Sequence, residues 1–397
     1  MNKTPTITFY KPSLKNIKLF YAFSFLDSFW PCAPFFVIYF SQITGSFTLA
    51  MSLGTINNLT TTCLEVPTGI LSDKFKRKTV TVLGSLSVFI AACLYSTANN
   101  YLILVLASIF YGLYDALMSG NNEALIFDSL KENRLQNKYH KVLGRMRGYS
   151  SLSYGISALV GSGIVWFYGI RETFYVVILG SFLLLLISLS LCEPGIYTDK
   201  ITDNPFKHFG KSVKHLWKNK RLRYLTIATG SEYGVGYAAY NFIGVFFNQF
   251  VATWVLGVLR TVSYFLGSFG YFLSYKISKT IGYTRTIMTF VSLNLIINTL
   301  SVLANCVISP FIKTLDNITN GIVGPAQDTL MQKEFTDKQR ATMGSVVSLF
   351  RSLVYGASSL LIGMMADLFS EYVSLIVIYI GLFFLLPVYY KGLNAKE

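Results

Sequence analysis

Glu65-Val66-Pro67-Thr68-Gly69-Ile70-Leu71-Ser72-Asp73-Lys74-Phe75-Lys76-Arg77-Lys78 is the stretch that decides the fold. It carries an apolar helix out to a tight basic turn, after which a second apolar helix begins at once. A Glu precedes a helix-bending Pro, and one carboxylate, Asp73, meets four positive charges within five residues.

The chain around this turn is built for lipid. Of its 397 residues, 52% are hydrophobic and 13% charged, against roughly 25% charged in soluble domains. Its apolar runs are about 18 to 25 residues long, the length that crosses a ~30 Å hydrocarbon layer as helix. Spans are expected near 17–40, 50–72, 79–97, 101–127, 144–167 and 172–192, then 222–247, 252–276, 284–303, 308–331, 342–366 and 371–390. The implied fold class is all-α integral membrane, with about twelve transmembrane helices in two six-helix bundles. The domain reading is 1–192 for the N-terminal bundle, 193–221 for a cytoplasmic linker and 222–397 for the C-terminal bundle. Within the linker, Phe206, Phe209, Val213 and Leu216 fall at helical spacing among lysines. That suits either an amphipathic helix on an anionic leaflet or a solvated connector.

A net charge of +15 raises the question of nucleic acid, and the placement of the charge answers it. Lys and Arg concentrate in alternate loops: the N-terminal tail, Lys74–Lys78, Lys131–Arg147, Lys200–Arg223, Lys276–Arg285, Lys333–Arg340 and the C-terminal tail. The loops 41–50, 96–101, 248–253 and 304–309 between them hold none. This is positive-inside asymmetry, which puts both termini in the cytoplasm. No nucleic-acid partner is expected; membrane lipids are, and so is a monomer in a bacterial plasma (inner) membrane. The five Cys and three His show neither metal-ligand nor disulfide spacing, so no metal and no cofactor is expected. There is no G-x-x-x-x-G-K-[ST] phosphate loop and no nucleophile–base pairing, so an enzyme or ATP-driven pump is not expected.

The two halves read as weak copies. Tyr154-Gly155-Ile156-Ser157 answers Tyr355-Gly356-Ala357-Ser358, and Leu71-Ser72-Asp73-Lys74 answers Leu273-Ser274-Tyr275-Lys276. Asp27 and Glu232 stand a similar distance apart, all at offsets of about 200 residues, as a duplicated six-helix unit requires.

With these residues in view, the chain resembles the major facilitator superfamily along essentially its whole length. The turn Gly69-Ile70-Leu71-Ser72-Asp73-Lys74-Phe75-Lys76-Arg77-Lys78 is similar to the family signature G-x-L-x-D-x-x-x-R-[RK], except that Lys76 replaces the usual Gly. Glu65-x-Pro67-Thr68-Gly69 is similar to a bacterial subset. The fourth-helix Arg signature is missing (Ser108 stands there), as is the fifth-helix Gly-Pro of antiporters. The resemblance implies two bundles that rock about a central cavity, the alternating-access cycle of a secondary active transporter. It implies that Asp73 sits against the start of the eleventh helix, near Arg340. It also implies that Arg77 pairs with an acid at the end of the fourth, Asp128 or else Glu123. With Glu65, Gly69 and Lys78, these residues form the expected cytoplasmic gate.

A charged side chain at mid-membrane costs about 2.5–3.5 kcal/mol on insertion scales, so it faces a cavity or a partner. Asp27, Asp115 and Glu232 are therefore the candidates for coupling to protons or another cation, or for contacting the substrate. Each competes with a purely structural role in which neighbouring Ser, Tyr or Asn satisfies the carboxylate. Arg351 and Arg260 are the candidate cations for an acid or an anionic solute. Lys313 and Asp316 are expected to pair with each other. Trp30, Tyr233, Tyr237 and Tyr240 are candidate cavity aromatics. The function expected is transport of a small-molecule substrate, with multidrug efflux and a transporter-like sensor as alternatives.

Overall fold

The computed structural model describes residues 11–74, 76–195, 216–335 and 340–395, with side chains for all of these except 66, 70–74 and 340–342. Every regular element among them is helical. The first half runs α1 (Lys15–Asp27), α2 (Phe36–Thr44), α3 (Phe47–Lys74), α4 (Arg77–Thr97), α5 (Tyr101–Met118), α6 (Asn121–Glu132), α7 (Tyr139–Phe167) and α8 (Glu172–Ser190). The second half runs α9 (Lys220–Phe247), α10 (Thr253–Ile281), α11 (Tyr283–Leu303), α12 (Ser309–Thr314), α13 (Asp316–Glu334), α14 (Arg340–Leu368), α15 (Glu371–Leu382) and α16 (Leu385–Asn394). Among the described residues, eight helical stretches are long and apolar enough to cross a membrane unaided. The remaining passes are α1–α2, α3, α9 and α12–α13. They are broken or carry polar side chains, which buried helices must satisfy against one another.

Two expectations about boundaries need correction. The first, fourth, tenth and twelfth passes are each two helices rather than one, breaking at 28–35, 119–120, 315 and 383–384. Several helices also overrun the expected ends: α7 begins at Tyr139 and α10 continues to Ile281. The amphipathic stretch expected at 206–216 lies almost wholly outside the described residues.

The first break has a clear cause. Pro31 has no amide hydrogen for the Asp27 carbonyl four residues back, and Trp30 Nε1 donates to that carbonyl instead, at 2.9 Å. The Trp30 carbonyl, which Pro34 cannot serve, accepts from the Ala33 amide at 3.0 Å. Carbonyls near the end of α1 also gain hydroxyl donors from α7: Ser153 Oγ donates to the Phe25 carbonyl at 2.6 Å and Ser150 Oγ to that of Ser24 at 3.1 Å. In the fourth pass the chain turns through Gly120 at φ +72°, a left-handed conformation that glycine adopts at no steric cost.

The halves meet along α3 against α14 and α7 against α10. Near the lysine-poor loops the contact is backbone-tight: a Cβ on Gly363 would lie 2.7 Å from Thr48 Cα, and one on Gly257 would lie 2.6 Å from the Ala158 carbonyl oxygen. Trp166 meets Trp254 edge-on with centroids 4.8 Å apart, and Thr261 Oγ1 donates to the Gly155 carbonyl at 3.1 Å. Asp367, at the end of α14, accepts from Ser46 Oγ (2.6 Å), Phe47 N (2.8 Å), Thr48 N (2.9 Å) and Thr48 Oγ1 (2.6 Å). It thereby caps α3 from the opposite half, supplying an acceptor and a negative charge to orphan amides at a helix N-terminus.

Candidate functional site

At the opening stretch, Pro67 lies inside α3. Thr68 is buried and its hydroxyl lies 2.8 Å from the Leu64 carbonyl, 3.2 Å from that of Glu65 and 3.0 Å from Ala116 on α5. The proline bend is thus fastened to α5 by the residue that follows it. Arg77 Nε lies 2.8 Å from Asp128 Oδ2, with the carboxylate nearly buried. Glu123, the other acid considered, is exposed and only 3.9 Å from Arg147. Glu65 accepts from Ser119 Oγ at 3.1 Å. No atom would crowd a side chain at Gly69. The contact expected between Asp73 and the start of α14 near Arg340 falls on side chains outside the described residues.

The basic turn rests on residues not singled out from the sequence. Glu193 accepts from the amides of Arg77 (3.0 Å) and Lys78 (2.8 Å), capping α4 from the start of the linker. Two positive side chains in a helix's first turn oppose the helix dipole, and this carboxylate offsets them. Asn121 Nδ2 donates to the Arg77 carbonyl at 3.1 Å. In the second half Arg221 Nε stands 3.3 Å from Glu334 Oε1, joining the basic-side ends of α9 and α13. Glu193 and Glu334 lie more than 100 positions from the residues they meet, and nothing nearby in sequence announces either contact.

Deeper in the first half, Asp27 accepts from Tyr114 Oη, and Asp115 lies 3.4 Å from Asn57 Nδ2. Trp30 packs edge-on against Tyr111 at 4.9 Å and lines a small cleft beside Asp27 and Tyr114. In the second half Glu232 accepts from Gln327 Nε2 at 2.8 Å and from Tyr389 Oη, and Gln327 also reaches Tyr389 Oη at 2.8 Å. The seventh, tenth and twelfth passes are joined by this triangle. Lys313 pairs with Asp316 at 2.7 Å and also donates to Asn298 and Tyr379. Arg260 stacks on Tyr240, its guanidinium carbon 3.6 Å from the ring centroid.

Arg351, Tyr233 and Tyr237 come together; Tyr240, stacked on Tyr237 with centroids 6.4 Å apart and bearing Arg260, adjoins them without lining the same cavity, and Trp30 does not line it either. The first three meet in a cavity of about 200 Å³ completed by Asn58, Ser348, Ser352 and Tyr355. Asn58 belongs to α3 and the others to α9 and α14, so the lining comes from both halves. Tyr237 stacks on Tyr233 (centroids 5.8 Å) and leans on Tyr355 (5.3 Å). Gly54 lets the Tyr355 hydroxyl pass against α3, where a Cβ would lie 2.4 Å from it. Asn58, Ser348, Ser352 and Tyr355 were not anticipated. The repeat Tyr355-Gly356-Ala357-Ser358 was the one available signal.

The family model of the Major Facilitator Superfamily matches residues 19–359. The chain belongs to the major facilitator superfamily. It is similar to Uncharacterized transporter BU466 of Buchnera aphidicola (26% identical over 44% of this chain and 43% of that one). It is also similar to Uncharacterized MFS-type transporter MJ1560 of Methanocaldococcus jannaschii (26% identical, 36% of each). The chain thus spans less than half the length of these curated relatives. Among solved structures, the nucleoside transporter NupG superposes with a TM-score of 0.79 at 13% identity, covering 97% of this chain and 99% of that one. A bacterial homologue of the human lysosomal transporter Spinster, in an inward-facing and unoccupied conformation, gives 0.77 at 16% identity, covering 97% and 98%. These likenesses establish the fold. The chain is thus a multi-pass member of a superfamily of membrane transporters.

Proposed function

We propose that this superfamily member is a secondary active transporter that moves a small charged solute through the cavity of Asn58, Tyr233, Tyr237, Ser348, Arg351, Ser352 and Tyr355 by alternating access. The observation that carries the reading is the cavity's position. Both halves line it, and on its lysine-poor side α3 closes on α14 through Gly54–Tyr355, Thr48–Gly363 and the Asp367 cap. A solute bound there leaves on one side or the other according to which ends of the helices are in contact. The bundles are 1–192 and 222–397, joined by the linker 193–221. Positive-inside asymmetry puts the basic face and both termini in the cytoplasm of a bacterial cell, which makes this conformation inward-facing.

The three membrane acids are the coupling candidates, each held by neutral donors: Asp27 by Tyr114, Asp115 by Asn57, Glu232 by Gln327 and Tyr389. A carboxylate held by neutral groups can gain or lose a proton without breaking an ion pair, which suits proton coupling. On the cytoplasmic face, Arg77–Asp128 stiffens the turn between the third and fourth passes. The turn then moves as one body when the halves rock, and Glu65, Lys78 and Asp73 belong to the same gate.

The test is counterflow in proteoliposomes with a solute found by thermal-shift screening, since a ligand selective for the folded state raises apparent stability. Exchange across the membrane supports transport. Tight binding without exchange would make the protein a sensor. Loss of coupling in Asp27→Asn or Glu232→Gln would place the proton site, and unchanged coupling in both would remove them from it.

A further inference from the structure

The cavity also speaks about the charge of its cargo. Its lining carries one formal charge, the guanidinium of Arg351; the other six side chains are an asparagine, two serines and three tyrosines. Arg351 Nε is shut off from solvent and makes no hydrogen bond. A buried guanidinium nitrogen without an acceptor is unfavourable, and nearly all such groups in folded proteins have a partner. The guanidinium carbon lies 5.0 Å from the Tyr233 centroid; this contact balances part of the charge without supplying an acceptor. Glu232, a membrane acid of the same half, feels the Arg351 charge, yet its hydrogen bonds go to Gln327 and Tyr389, and it does not line the cavity. The stacked rings of Tyr233 and Tyr237, with Tyr355 against them, offer flat apolar faces beside the cation.

We infer that the cavity takes an organic anion with a flat, ring-sized apolar body, its carboxylate or equivalent oxyanion held by Arg351 and its body lying against Tyr233, Tyr237 and Tyr355. A planar guanidinium matches a carboxylate with two parallel hydrogen bonds. A volume of about 200 Å³ accommodates one or two fused rings. The serines and Asn58 are further donors for the oxyanion or for a hydroxyl on the ring. This rests on the reading of the cavity as the solute site.

Three probes of one shape and different charge test it: 2-naphthoate, 2-naphthalenemethanol and 2-naphthylmethylamine. Their affinities are measured on the full-length protein in nanodiscs by calorimetry and thermal shift. The naphthoate should bind on the order of ten- to a hundredfold tighter than the alcohol, the increment of a charge-assisted contact, and the amine weakest. Arg351→Met should abolish that order, and Arg351→Lys should keep its direction at reduced size. Ligand-free melting and monodispersity verify that each variant is folded, and Tyr233→Leu supplies a second variant that should weaken all three probes together. Absence of naphthoate binding at millimolar concentration, equal binding of the three, or an order unchanged in Arg351→Met would each overturn the inference. Counterflow separates it from the transport reading. Naphthoate bound through Arg351 but never exchanged leaves the inference standing and removes transport; exchange of the amine alone does the reverse.

Discussion

Replacing Asp367 by Ala should open the closed, lysine-poor side. The carboxylate accepts four hydrogen bonds from the start of α3, two from backbone amides and two from hydroxyls, all between 2.6 and 2.9 Å. A helix N-cap is worth about 1 kcal/mol, and hydrogen bonds to a charged group about 1.5–3 kcal/mol. The carboxylate is exposed, so water replaces much of what is lost and the net figure falls to about 1–2 kcal/mol. Because acceptor and donors sit on opposite halves, that energy belongs only to conformations in which α3 and α14 touch. Its loss therefore shifts the equilibrium about 5- to 30-fold toward conformations open on this side. The assay is pulsed electron spin resonance between spin labels on the native Cys306 and on Asn99→Cys, with Cys63 replaced by Ala. Both labelled positions are exposed on this face and lie in different halves. Asp367→Ala should raise the long-distance population, and Asp367→Asn, which keeps one carbonyl acceptor, should do so by less. Unchanged distributions in both variants would refute the reasoning that this cap holds the halves together.

Other consequences are local. Asp128→Asn should lower the melting temperature by an amount equivalent to about 1–3 kcal/mol, because it leaves a half-buried Arg77 without its counter-charge; solute affinity measured on the same protein should stay within a few-fold. Glu193→Gln should also destabilise, by about 1 kcal/mol, through the weakened cap on α4. A Cβ on Gly112 would lie 2.6 Å from the Asn57 carbonyl oxygen and 2.7 Å from Thr60 Cβ, so Gly112→Ala should cost about 1–3 kcal/mol by overpacking α3 against α5. Gly155→Ala meets nothing within 4 Å and should be neutral or stabilising in the same melting assay. Glu232→Gln should make accumulation indifferent to an imposed proton gradient while counterflow persists; gradient-driven accumulation equal to the native protein would exclude Glu232 from coupling.

The pattern of apolar runs made the number and order of passes legible, because bilayer thickness fixes span length. Helix breaks were less legible. Pro31 and Pro34 advertised the first, but the tenth pass divides at Leu315 beside the Lys313–Asp316 pair, with no glycine at the break. The Arg77–Asp128 contact was implied by the resemblance of the turn to the family signature, with Glu123 as the alternative acid, and the structure decides between the two. The Glu193 cap, the Asp367 cap and the Glu232–Gln327–Tyr389 triangle could not, since each joins residues far apart in sequence through a packing that only the assembled bundles create. The same limit explains the cavity. Arg351 and two of its tyrosines stood out as a rare intramembrane charge and an aromatic stripe, whereas Asn58, Ser348, Ser352 and Tyr355 are ordinary helix residues until α3 meets α14.

The central claim, one cavity opened alternately to two sides, is tested most directly by labelling Ser348→Cys with a membrane-impermeant thiol reagent, Cys63 and Cys306 having been replaced by Ala. Sealed vesicles of both orientations give the rate from each face. The account predicts rapid labelling from the basic face and slow labelling from the opposite face, with the second rate rising and the first falling when Asp367→Ala is added. Equal labelling from both faces, as in a continuous pore, or two rates that ignore the Asp367 substitution, would contradict it.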